Sequence, residues 1–290
     1  MTLATTPWSF HDHVATWAVL ACATAAGIVV HLARTGHPER PPIGRVRAVL
    51  LSAGLASLLI ATSWPVADLA HRYLLLAHIG QDLLICLAAP GLLLAGLPPW
   101  LAGKLTEQSA LHGALRRLAA PPMAWLVFNV AVIGAQLPPV VAETSRSWAV
   151  NGLVDAALFF AGVVLWVPVV RSLPGLRFLS TPGRAAYLFV QSLLPNFVSL
   201  AYIFAHRPFY PVYSHGARQV GITPLLDQQV SGVLAKVVGV FVLWGTAVVV
   251  LLNASRAEEA GLDPDPLTWD DVDRELRRLE RRRRHVDQDH

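Results

Sequence analysis

Seven stretches of this chain carry almost no charge, and each is about as long as a bilayer is thick. They fall at roughly residues 14–33, 47–66, 73–97, 121–141, 149–170, 184–205 and 230–252. Across residues 73–99 the only groups that are charged or titrate near neutrality are His78 and Asp82. A helix needs about 20 predominantly apolar residues to cross the hydrocarbon core. Within hydrocarbon a backbone must satisfy its own polar groups, so such runs are expected as helices. The composition agrees: 14% of the 290 residues are charged, against about 25% in soluble domains. The fold class expected is all-α, a polytopic membrane bundle of about seven transmembrane helices. Residues 1–255 form the membrane domain, and residues 256–290 form a charged, partly helical cytoplasmic tail.

Orientation follows from the basic residues, which accumulate in loops on the cytoplasmic side. One set of loops holds Arg34, Arg40, Arg45, Arg47, Lys104, Arg116, Arg117, Arg171, Arg177 and Arg184; the other holds Arg72, Arg146, Arg207 and Arg218. The richer set is expected inside, which puts the N-terminus outside and the C-terminus in the cytoplasm. Residues 1–13 lack Lys and Arg, so no cleaved signal peptide is expected. In the tail, Thr268 and Asp271 suit a capping box, and Trp269, Val272, Leu276 and Leu279 recur at helical spacing. The arginines of residues 277–284 suit either a solvated face or contact with anionic lipid. The arginines elsewhere lie in short loops without interleaved aromatics, which argues against nucleic acid as a partner. Cys22 and Cys86 both sit in apolar runs without CxxC spacing, so neither a disulfide framework nor a thiolate cage is expected.

Ionisable and amide groups inside spanning helices are costly and mark functional sites. The third run carries His78 and Asp82, the fifth Asn151 and Asp155, the sixth Gln191 and Asn196, and the seventh Lys236. At about 1.5 Å per residue, all but Gln191 lie in the outer half of the bilayer. His71, Gln136 and the run Asp227, Gln228, Gln229 adjoin them from the outer ends. His78 and Asp82 are four apart and share a helix face, with His71 two turns further along. Imidazole and carboxylate in that arrangement suit a divalent metal or a proton relay. Equally, Asp82 or Asp155 paired with Lys236 would serve the bundle as a buried ion pair. Interhelical hydrogen bonding accounts for Gln191 and Asn196. His11 and His13, flanking Asp12, form a weak exposed metal-binding patch at most. Met1 and Met123 are the only methionines, so no Met-lined path for Cu(I) exists.

The stretch ADLAHRYLLLAHIGQDLLICLAAPGLLLAGLPPW from Ala67 resembles the third-helix signature of the CtaG-type cytochrome c oxidase assembly factors, the polytopic Gram-positive kind. Its matching residues are His78, Gln81, Pro90, Gly96 and Pro98. Asp227, Gln228, Gln229 and Gly232 match the start of that family's seventh helix, and Gly162, Trp166 and Pro168 match its fifth. The similarity covers about residues 10–255. It departs from the family pattern at Asp82, Asn151, Asp155 and Gln136, which stand where the family has histidines.

The resemblance implies a multi-pass protein of a bacterial cell membrane that helps mature a haem–copper oxidase of the respiratory chain and supplies it with copper. Oxidase subunits and membrane lipid would then be its partners. On this view His78, Asp82 and Asp155 are the tentative metal ligands in an outward-facing pocket. His71, Asn151, Asn196, Asp227, Gln228, Gln229 and Lys236 complete the pocket, and no catalysis is expected. The alternative is a small proton-coupled transporter using Asp82, Asp155 and Lys236. No inverted repeat supports it, and the polar layer stops short of the inner leaflet. An intramembrane enzyme built on Ser63, Ser192 or Ser199 lacks a nucleophile motif with an evident base.

Overall fold

The computed structural model describes residues 15–22, 24, 43–107, 109–171, 173, 176 and 179–263. The first apolar run therefore lies mostly outside the described residues. His11, His13, the Thr268 helix start and the arginines of residues 277–284 lie wholly outside them. The other six runs are helical, and among the described residues there is no strand. Five helices are long and apolar enough to cross a membrane: α1 (Arg45–Thr62), α2 (Leu75–Gly96), α5 (Trp148–Val170), α6 (Thr181–Ile203) and α7 (Pro224–Glu259). Helices α3 (Pro121–Ala135) and α4 (Pro138–Thr144) are long and apolar enough only when taken together, and they are bent by 68° where they meet, as in a broken span or a re-entrant loop. Large apolar side chains such as Leu153, Phe197 and Phe241 point outward and are largely exposed. In water such a surface would aggregate; in a bilayer it is the contact with lipid. The chain is a multi-pass membrane protein.

Two helices depart from the continuous runs expected, each for a local reason. The α3–α4 bend comes from Pro138 and Pro139. They hold Leu137 extended (φ −66°, ψ 133°), because a residue before proline is excluded from the helical region. The third run is broken at its outer end. Leu69–Tyr73 is one π-helical turn, Leu74 is extended (φ −134°, ψ 126°), and α2 starts afresh at Leu75.

Deeper in α2, Leu84–Ala88 is a second π-helical turn, and Pro90 supplies no N–H to the preceding turn. The nearby Leu87 carbonyl accepts a buried hydrogen bond from the Trp166 indole of α5 at 2.8 Å. Gly162 of α5 lies directly against the Cys86 carbonyl and Pro90, where a Cβ would collide with backbone. The α2–α5 crossing is thus built from the helix irregularity itself.

The core runs between these helices through Phe128, Leu158, Leu165 and Leu188. The most extensive helix–helix contact is α6 with α7, and Gly232 of α7 sits against the Ser199 carbonyl of α6. Helix α7 has 36 residues. It continues past the expected boundary at residue 255 without a break.

Candidate functional site

The start of α2, the α3–α4 bend, the starts of α5 and α7 and the end of α6 meet at one end of the bundle. Their polar side chains make one connected network there. Gln136, at the bend, is its hub. Its Nε2 donates to Asp82 Oδ2 at 2.7 Å. Its Oε1 accepts from the Tyr202 hydroxyl at 3.3 Å. Its backbone carbonyl accepts from the Tyr210 hydroxyl at 2.6 Å, and the Tyr202 and Tyr210 hydroxyl oxygens lie against each other. One glutamine thus ties α2, α6 and the loop after α6 to the bend.

His78 and Asp82 come together as their spacing requires, with Nε2 3.7 Å from Oδ2 and both residues buried. That separation is too long for a hydrogen bond. His78 Nε2 and Asp82 Oδ1 are both buried without a hydrogen-bond partner. Leaving such atoms unsatisfied costs about 1–3 kcal/mol each, so this corner of the network is under-bonded. Asp155 accepts from Asn151 Nδ2 at 2.9 Å. Tyr213, from the loop after α6, faces the His78 ring with centroids 6.0 Å apart. Its hydroxyl donates to the Ala70 carbonyl at 2.9 Å. Burial pushes the Tyr210 and Tyr213 phenols up from their ordinary value, which keeps both as hydrogen-bond donors.

The other expected pocket residues divide by role. His71 is turned away by the break at Leu74, and its ring stacks on Trp148 at 3.7 Å and 12°. Asp227 does not close the pocket. Its carboxylate accepts from the backbone N–H groups of Leu75 at 2.8 Å and Leu76 at 3.0 Å. It therefore caps a helix lying 152 residues away in sequence. Gln228 Oε1 accepts from Phe209 N at 2.6 Å, and Gln229 Nε2 donates to the Ala205 carbonyl at 3.2 Å. The Asp-Gln-Gln run thus anchors the broken third run and the loop after α6 to the start of α7. Lys236 and Asn196 line a cavity that Asp82 and Gln136 also line. Lys236 forms no ion pair with Asp82 or Asp155, so the buried ion pair considered from the sequence is not made.

A copper ion does not fit these donors. Among the described residues no group of three or more His, Cys, Asp or Glu side chains is placed to hold a metal. His78 and Asp82 would offer one imidazole and one hard carboxylate, and Cu(I) prefers thiolate, thioether and imidazole. Met123 is exposed.

The family model for the cytochrome c oxidase caa3 assembly factor (Caa3_CtaG) matches residues 23–257, a span that holds every residue of the network. The chain belongs to this family. No curated protein and no solved structure matches it. The similarity carried by the third, fifth and seventh helices therefore holds across the membrane domain. The network also takes in Tyr202, Tyr210 and Tyr213, which the sequence alone does not bring out, and it makes Gln136 central where the sequence places it only beside the pocket. The tyrosines sit in or beside the loop FAHRPFYPVYSHG, where two aromatics flanking a proline were the available signal.

Proposed function

We propose that this chain assists maturation of a caa3-type haem–copper oxidase by binding an oxidase subunit within the membrane, without catalysing a reaction. The observation carrying this reading is the family match over residues 23–257, which takes in nearly all of the described membrane helices. The arginine distribution supports placing the polar end of the bundle on the outer side of the cell membrane. There the network holds the loop after α6, through Tyr210 and Gln228, as a firm surface for a client to meet. The under-bonded pair His78 and Asp82 sits beneath that loop. A client group that satisfied both atoms would gain the free energy they now lack. No copper is routed through the chain in this reading, because the donors described do not form a site for it.

The test is complementation of cells lacking the chain, scored by assembled oxidase per unit of assembly factor in the membrane. Oxidase haem absorbance and subunit blots provide the readout. Wild type should restore assembly, and a His78→Ala, Asp82→Asn double variant should restore less at equal abundance. Full assembly without the chain would overturn the reading. Copper bound stoichiometrically to the purified chain, and lost in both single variants, would overturn its copper-free form.

A further inference from the structure

Charge is sorted by depth at the network end of the bundle. The carboxylates Asp68, Asp82 and Asp227 are buried there, whereas Arg72, Arg146, Arg207 and Arg218 are exposed. Glu143 is the one exposed carboxylate among the described residues of that end, and Arg146 holds it at 3.5 Å. Arg72, Arg207 and Arg218 pair with no carboxylate among the described residues. The buried acids do not compete for them: Asp227 is taken up by the Leu75 and Leu76 N–H groups, and Asp82 by Gln136. What the end of the bundle shows to its surroundings is therefore basic.

The segments carrying these arginines are gathered at one junction, where the third run restarts beside the start of α7. The short helix Ser214–Gln219, which bears His215 and Arg218, packs on the π-helical turn Leu69–Tyr73. A Cβ on Gly216 would stand 2.6 Å from the Arg72 carbonyl oxygen, so the approach requires glycine. Gln228 Nε2, at the start of α7, reaches the Arg207 carbonyl at 3.5 Å. The same loop exposes Phe209, Val212 and Val220. Arginine and aromatic side chains are the types enriched where proteins meet. A loop already fixed by Tyr210, Tyr213 and Gln228 loses little further freedom on being met. Because it folds over the end of the bundle, its arginines are placed for a partner above the network; a lipid headgroup would be met from the sides of the helices.

We infer that this end of the bundle is a docking surface for an acidic face of the client protein. Client carboxylates meet Arg72, Arg207 and Arg218, around an apolar contact at Phe209 and Val212. The inference gives the partner's chemistry within the oxidase reading and rests on it.

The test is binding of the purified chain, in nanodiscs of zwitterionic phosphatidylcholine, to purified caa3-type oxidase subunits, followed by interferometry. Exposed charges are screened beyond about 10 Å at 0.1 M salt, so affinity should fall about tenfold between about 50 and about 300 mM NaCl. Arg72→Gln, Arg207→Gln and Arg218→Gln together should weaken binding about tenfold at the lower salt, chiefly through slower association, and remove most of the salt dependence. The loop pair Arg207→Gln, Arg218→Gln should give an intermediate loss, and serves should the triple variant not fold. Arg45→Gln, Arg47→Gln and Lys104→Gln, all exposed at the opposite end, should leave binding unchanged. Binding that ignores salt, or that survives the triple change intact, would overturn the inference and leave the oxidase reading standing. No binding by a folded chain at either salt would overturn both. Undiminished binding to the subunits with lost flotation on phosphatidylglycerol vesicles, in the triple variant, would assign the surface to lipid and overturn the inference.

Discussion

Replacing Asp227 with alanine should detach the start of α2 from α7. The first N–H groups of a helix have no partner within it, and Leu74, the residue before α2, makes no side-chain cap of its own. Asp227 supplies acceptors for two of them, at 2.8 and 3.0 Å, from a site that is 1% exposed. A hydrogen bond to a charged group contributes about 1.5–3 kcal/mol. Loss of two, with both donors left away from water, should cost Asp227→Ala about 3–5 kcal/mol. Asp227→Asn keeps one acceptor but turns an NH₂ toward the second N–H, so its cost should be about 1–3 kcal/mol. Amide hydrogen exchange in detergent reads this locally, since an opening made easier by about 3 kcal/mol exchanges about 100-fold faster. Leu75 and Leu76 should accelerate by at least that factor in Asp227→Ala and by less in Asp227→Asn. Amides in the lower half of α5 should change little. Unchanged exchange at Leu75 and Leu76 in a folded Asp227→Ala protein would refute the cap.

Three further expectations concern stability or coupling. Trp166→Phe removes the donor to the Leu87 carbonyl and should cost about 1–2 kcal/mol, measured by equilibrium unfolding in mixed micelles. Gly162→Ala drives a Cβ into the Cys86 carbonyl and should cost about 1–3 kcal/mol. Gly134→Ala, where a Cβ meets nothing, should be neutral or stabilising by up to about 1 kcal/mol; equal effects from the two would refute the close crossing. A double-mutant cycle of Gln136→Leu with Asp82→Asn should show a coupling of about 1.5–3 kcal/mol, and independence of the two would remove Gln136 as the hub.

Much of this architecture is legible in the sequence because a bilayer imposes a simple demand on length and polarity. The six apolar runs after the first appear as helices, and the i, i+4 pairs His78–Asp82 and Asn151–Asp155 meet as their spacing requires. The breaks are harder to read. Pro138 and Pro139 announce the bend after Ala135, but nothing local to Leu74 announces that the third run restarts there. That restart is stabilised by Asp227, a partner reached only through the tertiary fold. The same limit applies to the site. Depth along a helix places Asp82, Asp155 and Lys236 in one layer, yet only packing decides that Gln136, and not Lys236, meets Asp82. Tyr210 and Tyr213 were hidden because their loop reads as a connection between spans, whereas it folds back over the network.

At about 1.5 Å per residue, the 36 residues of α7 extend about 54 Å. A bilayer is about 40–45 Å thick with its headgroups and about 30 Å without them. The helix therefore stands clear of the membrane on the side away from the network, and its last turns, with Arg256, Glu258 and Glu259, form a rigid stalk in water. Asp227 and Lys236 lie on that same rod. The Asp227 end is held by the start of α2, so the polar network and the far tip of the rod belong to one continuous helix.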